Sequence, residues 1–182
     1  TFLASGALSA LYYADRLNQL PIGVIGIAIG TVLLPDMSRR LSAGDHVGAM
    51  AAQRRAFNFT LLFSIPFVAA FLTVPDIIMR AMFMRGAFTG ADAAAAAATL
   101  AAYAIGLIPF VLIRSAVAPF YARQDTATPV KASLTGLVVN VVLKVALMGP
   151  LAQIGLALAT AIGVWVNLLL VLGFAIRAGY LV

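Results

Sequence analysis

Residues 154–176 read IGLALATAIGVWVNLLLVLGFAI, an unbroken run without a charge. About 20 apolar residues suffice to carry a helix across a bilayer's hydrocarbon core. The run is too long for a membrane strand and lacks period-two alternation. It is therefore read as a transmembrane helix. Working outward, the rest of the chain is of the same kind. It has 182 residues, 63% hydrophobic and only 10% charged, where a soluble domain sits near half apolar and a quarter charged. A soluble domain and a disordered chain are both excluded. There is no cysteine, one histidine (His46), and all six acidic residues are aspartates. A disulfide framework and a thiol nucleophile are impossible. No paired carboxylate, phosphate-cradling loop or metal cluster is visible, so no enzyme activity, cofactor or metal is expected.

Five full apolar runs follow a stub at 1–14, which reads as the tail of a span whose beginning is missing. They cover 17–34, 56–74, 93–113, 132–148 and 154–176. The expected fold is all-α: one polytopic bundle over 1–182 with about six spans, the first truncated. Arg114 and the pair Gly149–Pro150 are taken as span ends. Segment 36–55 holds Arg39, Arg40, Arg54 and Arg55, segment 76–92 holds Arg80 and Arg85, and segment 114–131 holds Arg114, Arg123 and Lys131. Segment 149–153 has no basic residue and the C-terminal end has Arg177. Richer loops alternate with poorer ones. The positive-inside rule then puts 36–55, 114–131 and the C-terminal end in the cytoplasm, with 76–92, 149–153 and the Asp15–Arg16 junction outside. The net charge of +6 suits an anionic leaflet. Basic residues scattered between apolar runs do not suit nucleic acid. Within 76–92, Ile77, Ile78, Ala81 and Met82 share one face of a short interfacial helix. Thr89 and Asp92 make a capping-box start for the next span.

Three sets of residues stand out. Asp15 and Arg16 interrupt the apolar sequence. They read either as a surface pair in an external turn or as a guanidinium in a water-filled cavity, where it can hold a phosphate bidentately. The near absence of Gly and Ser around them favours continuous helix over a turn. Gly23, Gly26 and Gly30 recur on one face, as a close-packing surface or a bending point. Lys144 lies inside an apolar span. Either it snorkels to the outer interface, or it belongs to a stripe with Ser133, Gly136 and Asn140. That stripe faces Thr160, Gly163 and Asn167 on the antiparallel neighbour, so that Asn140, Lys144 and Thr160 meet in the outer half of the bilayer. In the second reading its ammonium takes the place of a coupling cation. His46 reads as a solvated loop residue, and Trp165 as packing or lipid-facing.

Leu11-Tyr12-Tyr13-Ala14-Asp15-Arg16-Leu17, then Leu20-Pro21, Gly23-Val24, Gly26 and Leu33-Leu34-Pro35 with Ser38-Arg39, closely resembles the MurJ (MviN) family of lipid II flippases. So do Phe83 through Gly86-Ala87-Phe88-Thr89 with Asp92, Tyr103 with Gly106-Leu107, and Phe120-Tyr121-Ala122-Arg123-Gln124-Asp125 with Thr128-Pro129-Val130. Gly149-Pro150-Leu151 with Gly155-Leu156 completes the set, in order along nearly the whole chain. Lys144 matches no general family feature. The resemblance implies the second bundle of a fourteen-helix exporter, from the end of span seven through span twelve, in a bacterial inner membrane. Its partners would be lipid II, membrane lipids and the missing N-terminal bundle. Arg16 matches the family's functionally important arginine in this bundle, with Asp15 orienting or balancing it. The implied activity is alternating-access flipping of lipid II to the periplasmic leaflet. A related exporter of another polyprenyl-linked glycan or a drug, or a non-transporting scaffold for cell-wall synthesis, stays open.

Overall fold

The computed structural model describes residues 6–86 and 88–180. It is all-helical, with five elements among the described residues: α1 (Ala7–Ser42), α2 (His46–Thr73), α3 (Pro75–Phe83), α4 (Gly90–Tyr121) and α5 (Ala127–Arg177). All but the short α3 are long and apolar enough to cross a membrane, which makes the chain a multi-pass membrane protein. With no lipid-phase water to satisfy backbone groups, continuous helices are the solution such a sequence has.

The boundaries differ from the sequence expectation in three places. No break separates 7–14 from 17–34. From Ala7 the helix runs through Asp15 and Arg16 and past Pro21 and Pro35 to Ser42. Two charges do not end a helix when no glycine or serine cluster accompanies them. The part of the stub before Gly6 lies outside the described residues. Segment 36–55 is a helical hairpin rather than a loop. Gly44 turns it at φ 76°, and Asp45 caps α2 by accepting from the Gly48 N–H at 2.8 Å. Arg114 does not end a span, because α4 continues to Tyr121. The last two runs, by contrast, part where expected: α5 is two helical arms that meet within 149–153 at Ala152, whose backbone is non-helical at φ 47°, ψ −126°. Its two arms lie antiparallel: Gly136 faces Gly163 and Asn167, and Gly155 faces Leu147.

α3 also buries a different face. Met79 is fully buried, whereas Ile77 and Met82 are exposed. Met79, Ile78 and Phe83 pack into the main core with Leu100, Leu107 and Ile22. Tyr13 of α1 sits against this end, 4.7 Å from the Phe83 ring and 5.1 Å from the Phe88 ring. α4 then starts on a capping box in which Thr89 and Asp92 each bond the other's backbone N–H.

α4 is the central pillar, packed against every other helix. It contains two prolines, and each removes a bond to the carbonyl four residues earlier. Both carbonyls are recovered by side chains from other helices. Trp165 Nε1 of α5 donates to Ile105 O, freed by Pro109, at 2.8 Å. Gln53 Nε2 of α2 donates to Ser115 O, freed by Pro119, at 2.8 Å. In an apolar medium an unmet carbonyl is expensive. Trp165→Phe keeps the ring and deletes the donor, so the purified full-length protein should lose about 1–3 kcal/mol of stability. An unchanged melting temperature would mean that Ile105 O does not depend on the indole.

Candidate functional site

α1, α4 and α5 diverge around Asp15. One open cavity of about 290 Å³ is lined by Tyr12, Asp15, Tyr103, Lys144 and Leu156, among others. A second, of about 260 Å³, is lined by Asp15, Asn18, Gln19, Tyr103, Phe110 and Thr160. Asp15 and Tyr103 are walls of both. The Gln19 side-chain amide donates to Asp15 Oδ2 one helical turn away. Asn18 is buried, and its Oδ1 has no partner among the described residues. An unpaired carbonyl oxygen beside a cavity marks a polar, wettable space. The floor of the second cavity is tight: a Cβ on Gly106 would lie 2.8 Å from Ala161 Cα of α5. Only glycine lets the helices approach so closely there.

Arg16 follows Asp15 but points elsewhere, because successive helical residues diverge by about 100°. It is exposed and lines neither cavity that Asp15 lines. Its guanidinium carbon lies 4.9 Å from the centre of the Tyr12 ring. No carboxylate approaches it within 4 Å among the described residues. A stacked guanidinium with its donors unspent is suited to a phosphate or diphosphate oxygen pair.

The three glycines of α1 do not act as one face. Nothing lies within 4 Å of a Cβ added to Gly23 or Gly30. Gly26 alone makes a close approach, and to a side chain: Arg114 Cδ and Nε lie 2.8 and 2.9 Å from its added Cβ. The arginine expected to stop a span instead lays its stem across α1. On the α5 hairpin, Asn140 packs on Gly163, with Cβ positions 2.7 Å apart once one is built on the glycine. Ser133 Oγ accepts from Asn167 Nδ2 at 3.4 Å. Lys144 and Thr160 are partly exposed and line the 290 and 260 Å³ cavities respectively. Asn140, Lys144 and Thr160 thus share the hairpin, with only the last two turned to the cavities.

Tyr103, Asn18, Gln19 and Gly106 were not singled out as site residues in the sequence, although Asn18 and Gln19 follow Asp15 at one-turn spacing. A larger trough of about 730 Å³ runs between α1 and α2, walled mainly by Val32, Phe59, Phe63 and Phe67 with Asp36 and Arg55. Asp36 is already bridged by Arg39 at 2.8 Å and Arg40 at 3.0 Å, and the trough is otherwise greasy. At the opposite end, Arg123 lies 4.1 Å from the Tyr180 ring centre. In the same α4–α5 connection the Thr128 hydroxyl and backbone N–H hold the Asp125 carboxyl below its ordinary value of 3.8.

The family described as Lipid II flippase MurJ matches residues 1–181. A "Probable lipid II flippase MurJ" of Rhizobium tropici is 39% identical over 177 residues, 97% of this chain and 33% of that protein. Its counterpart in Rhizobium meliloti (strain 1021) is 41% identical over 175 residues, 96% of this chain and 33% of that protein. Among solved structures, "Lipid II flippase MurJ, inward closed conformation" superposes with a TM-score of 0.85 at 28% identity. The match covers 96% of this chain and 36% of that one. The chain spans about a third of the length of the curated relatives it matches.

Proposed function

The chain belongs to the MurJ family of lipid II flippases, and from that premise we propose that it forms the second bundle of a fourteen-helix flippase moving lipid II from the cytoplasmic to the periplasmic leaflet. The cargo joins a pyrophosphate and sugars to a polyprenyl tail. The physical difficulty is carrying an anionic head across about 30 Å of hydrocarbon. A cavity opening alternately to each side solves it. No bond is made or broken, so the activity is transport and not catalysis. The observation that carries this reading is Arg16: exposed, stacked on Tyr12 and free of any carboxylate within 4 Å among the described residues. In the whole protein it faces the missing N-terminal bundle across the transport cavity, with Asp15 beside it. The protein sits in the bacterial inner membrane, with the end at Arg177 in the cytoplasm.

The test uses the full-length protein in cells depleted of their own flippase. It should restore growth and make lipid II accessible from the periplasm. A cysteine in place of Arg16 should react with a membrane-impermeant maleimide, as a wet vestibule requires. Absence of lipid II in the outer leaflet would overturn the transport reading. A cysteine that no aqueous reagent reaches would favour a scaffold packed without a cavity.

A further inference from the structure

We propose that Lys144 is the counter-ion of Asp15, and that by engaging this carboxylate it leaves Arg16 free for an anionic head group. The proposal rests on the reading of Arg16 above and adds the residue that keeps that guanidinium available.

The argument starts from the acids. Asp36 is bridged by Arg39 and Arg40, Asp45 by Arg40, and Asp76 by Arg80. Asp92 is held by Thr89, and Asp125 by the Thr128 N–H at 3.1 Å. Asp15, which unlike Asp92 and Asp125 lies within a helix and not at a helix start, has the Gln19 amide and no cation within 4 Å among the described residues. A partly buried carboxylate between apolar helices favours a positive partner. The adjacent Arg16 lies over the Tyr12 ring instead and makes no ion pair with Asp15.

Lys144 poses the mirror-image problem. It lies in the apolar stretch Val141-Val142-Leu143-Lys144-Val145-Ala146-Leu147, and no acid lies within 4 Å of it among the described residues. α5 nevertheless brings it to the cavity that Asp15 lines, together with Tyr12, Tyr103 and Leu156. At about 290 Å³ that space holds several water molecules, so the charges interact through water between low-dielectric walls. A lysine suits this arrangement. Its flexible four-carbon stem delivers a point charge and needs no fork geometry. Among the described residues Lys144 is the basic residue lining the Asp15 cavities; without it, the neighbouring cation in the chain is Arg16. A rotamer change would then close an i, i+1 pair and compete with the cargo.

The full-length protein provides the test, with lipid II flipping measured in flippase-depleted cells and membrane levels checked by immunoblot. Lys144→Met should lower flipping at least about tenfold at unchanged membrane level. Combining Asp15→Asn with Lys144→Met removes the stranded carboxylate and should recover most of that loss. Wild-type flipping by Lys144→Met would overturn the proposal, and so would a double variant as poor as Lys144→Met alone. Melting temperatures of the purified proteins give a readout that does not depend on transport. The double variant should be less destabilised than the sum of the single ones, and additive shifts would exclude the pair. If Arg16→Ala flips lipid II normally, the transport reading of Arg16 fails while the melting cycle still decides whether Lys144 and Asp15 are partners.

Discussion

Arg16→Ala is expected to abolish lipid II flipping by the full-length protein while leaving its amount in the membrane unchanged. The side chain is exposed and forms no ion pair among the described residues. Its removal therefore strands no buried carboxylate, and folding should tolerate it. What disappears is a planar fork of donors for a diphosphate, where charge-assisted bonds are each worth about 1.5–3 kcal/mol. Losing two such bonds amounts to a fall of two orders of magnitude or more, enough to stop growth in a depletion strain. Arg16→Lys should fall between, because an ammonium keeps the charge and loses both the fork and the guanidinium contact with the Tyr12 ring. Complementation and an outer-leaflet lipid II assay read the result. Full activity of Arg16→Ala would take this residue out of transport.

The second large effect is expected at Gly106. A Cβ there would lie 2.8 Å from Ala161 Cα and 3.0 Å from Ala161 Cβ on α5. Backbone cannot swing aside as a side chain can, so Gly106→Val must push the helices apart. Overpacking of this kind costs about 1–3 kcal/mol or more. The damage is local to the site, since Gly106 and Ala161 both wall the cavity that Asp15 and Thr160 share. Lower melting temperature and weaker flipping should appear together. Gly23→Ala and Gly30→Ala are the contrast. Nothing lies within 4 Å of either new methyl, and alanine is the better helix former by about 1 kcal/mol. Both should be stable or slightly stabilised, unless α1 must bend at these positions during transport. In that case flipping would fall at unchanged stability.

These contrasts show what the residues alone could disclose. Membrane-spanning helices were legible because solvation in lipid leaves the chain little choice, and long uncharged runs announce it. Helix ends were less legible. Charges such as Asp15, Arg16 and Arg114 look like boundaries, yet a helix interior accommodates them when a neighbour offers room, as Gly26 does for the Arg114 stem. The glycines illustrate the limit. The regular trio in α1 attracts the eye by spacing, whereas close approach occurs at Gly26, Gly106, Gly136 and Gly163, and which glycine meets another helix depends on how the helices dock. Half of the proline story was visible. Pro109 and Pro119 identify Ile105 and Ser115 as carbonyls in need of donors, but only the docked helices reveal Trp165 and Gln53. Asp15 and Lys144 stand far apart in sequence, and they share a cavity only because both arms of α5 dock beside α1 and α4.

The two proline-freed carbonyls give the bundle an uneven mechanical character. α2 and α5 are each pinned to α4 by a polar tie, and parting any of the three means stranding a carbonyl in hydrocarbon. α1 has no such tie: among the described residues its side-chain hydrogen bonds stay within the helix or reach Asp45 in the adjoining turn. It leans on its neighbours through dispersion and shape alone, so its displacement breaks no hydrogen bond to another helix. The molecule is thus a keel of three fastened timbers with one unfastened plank, and that plank carries Arg16, which has no ion pair among the described residues.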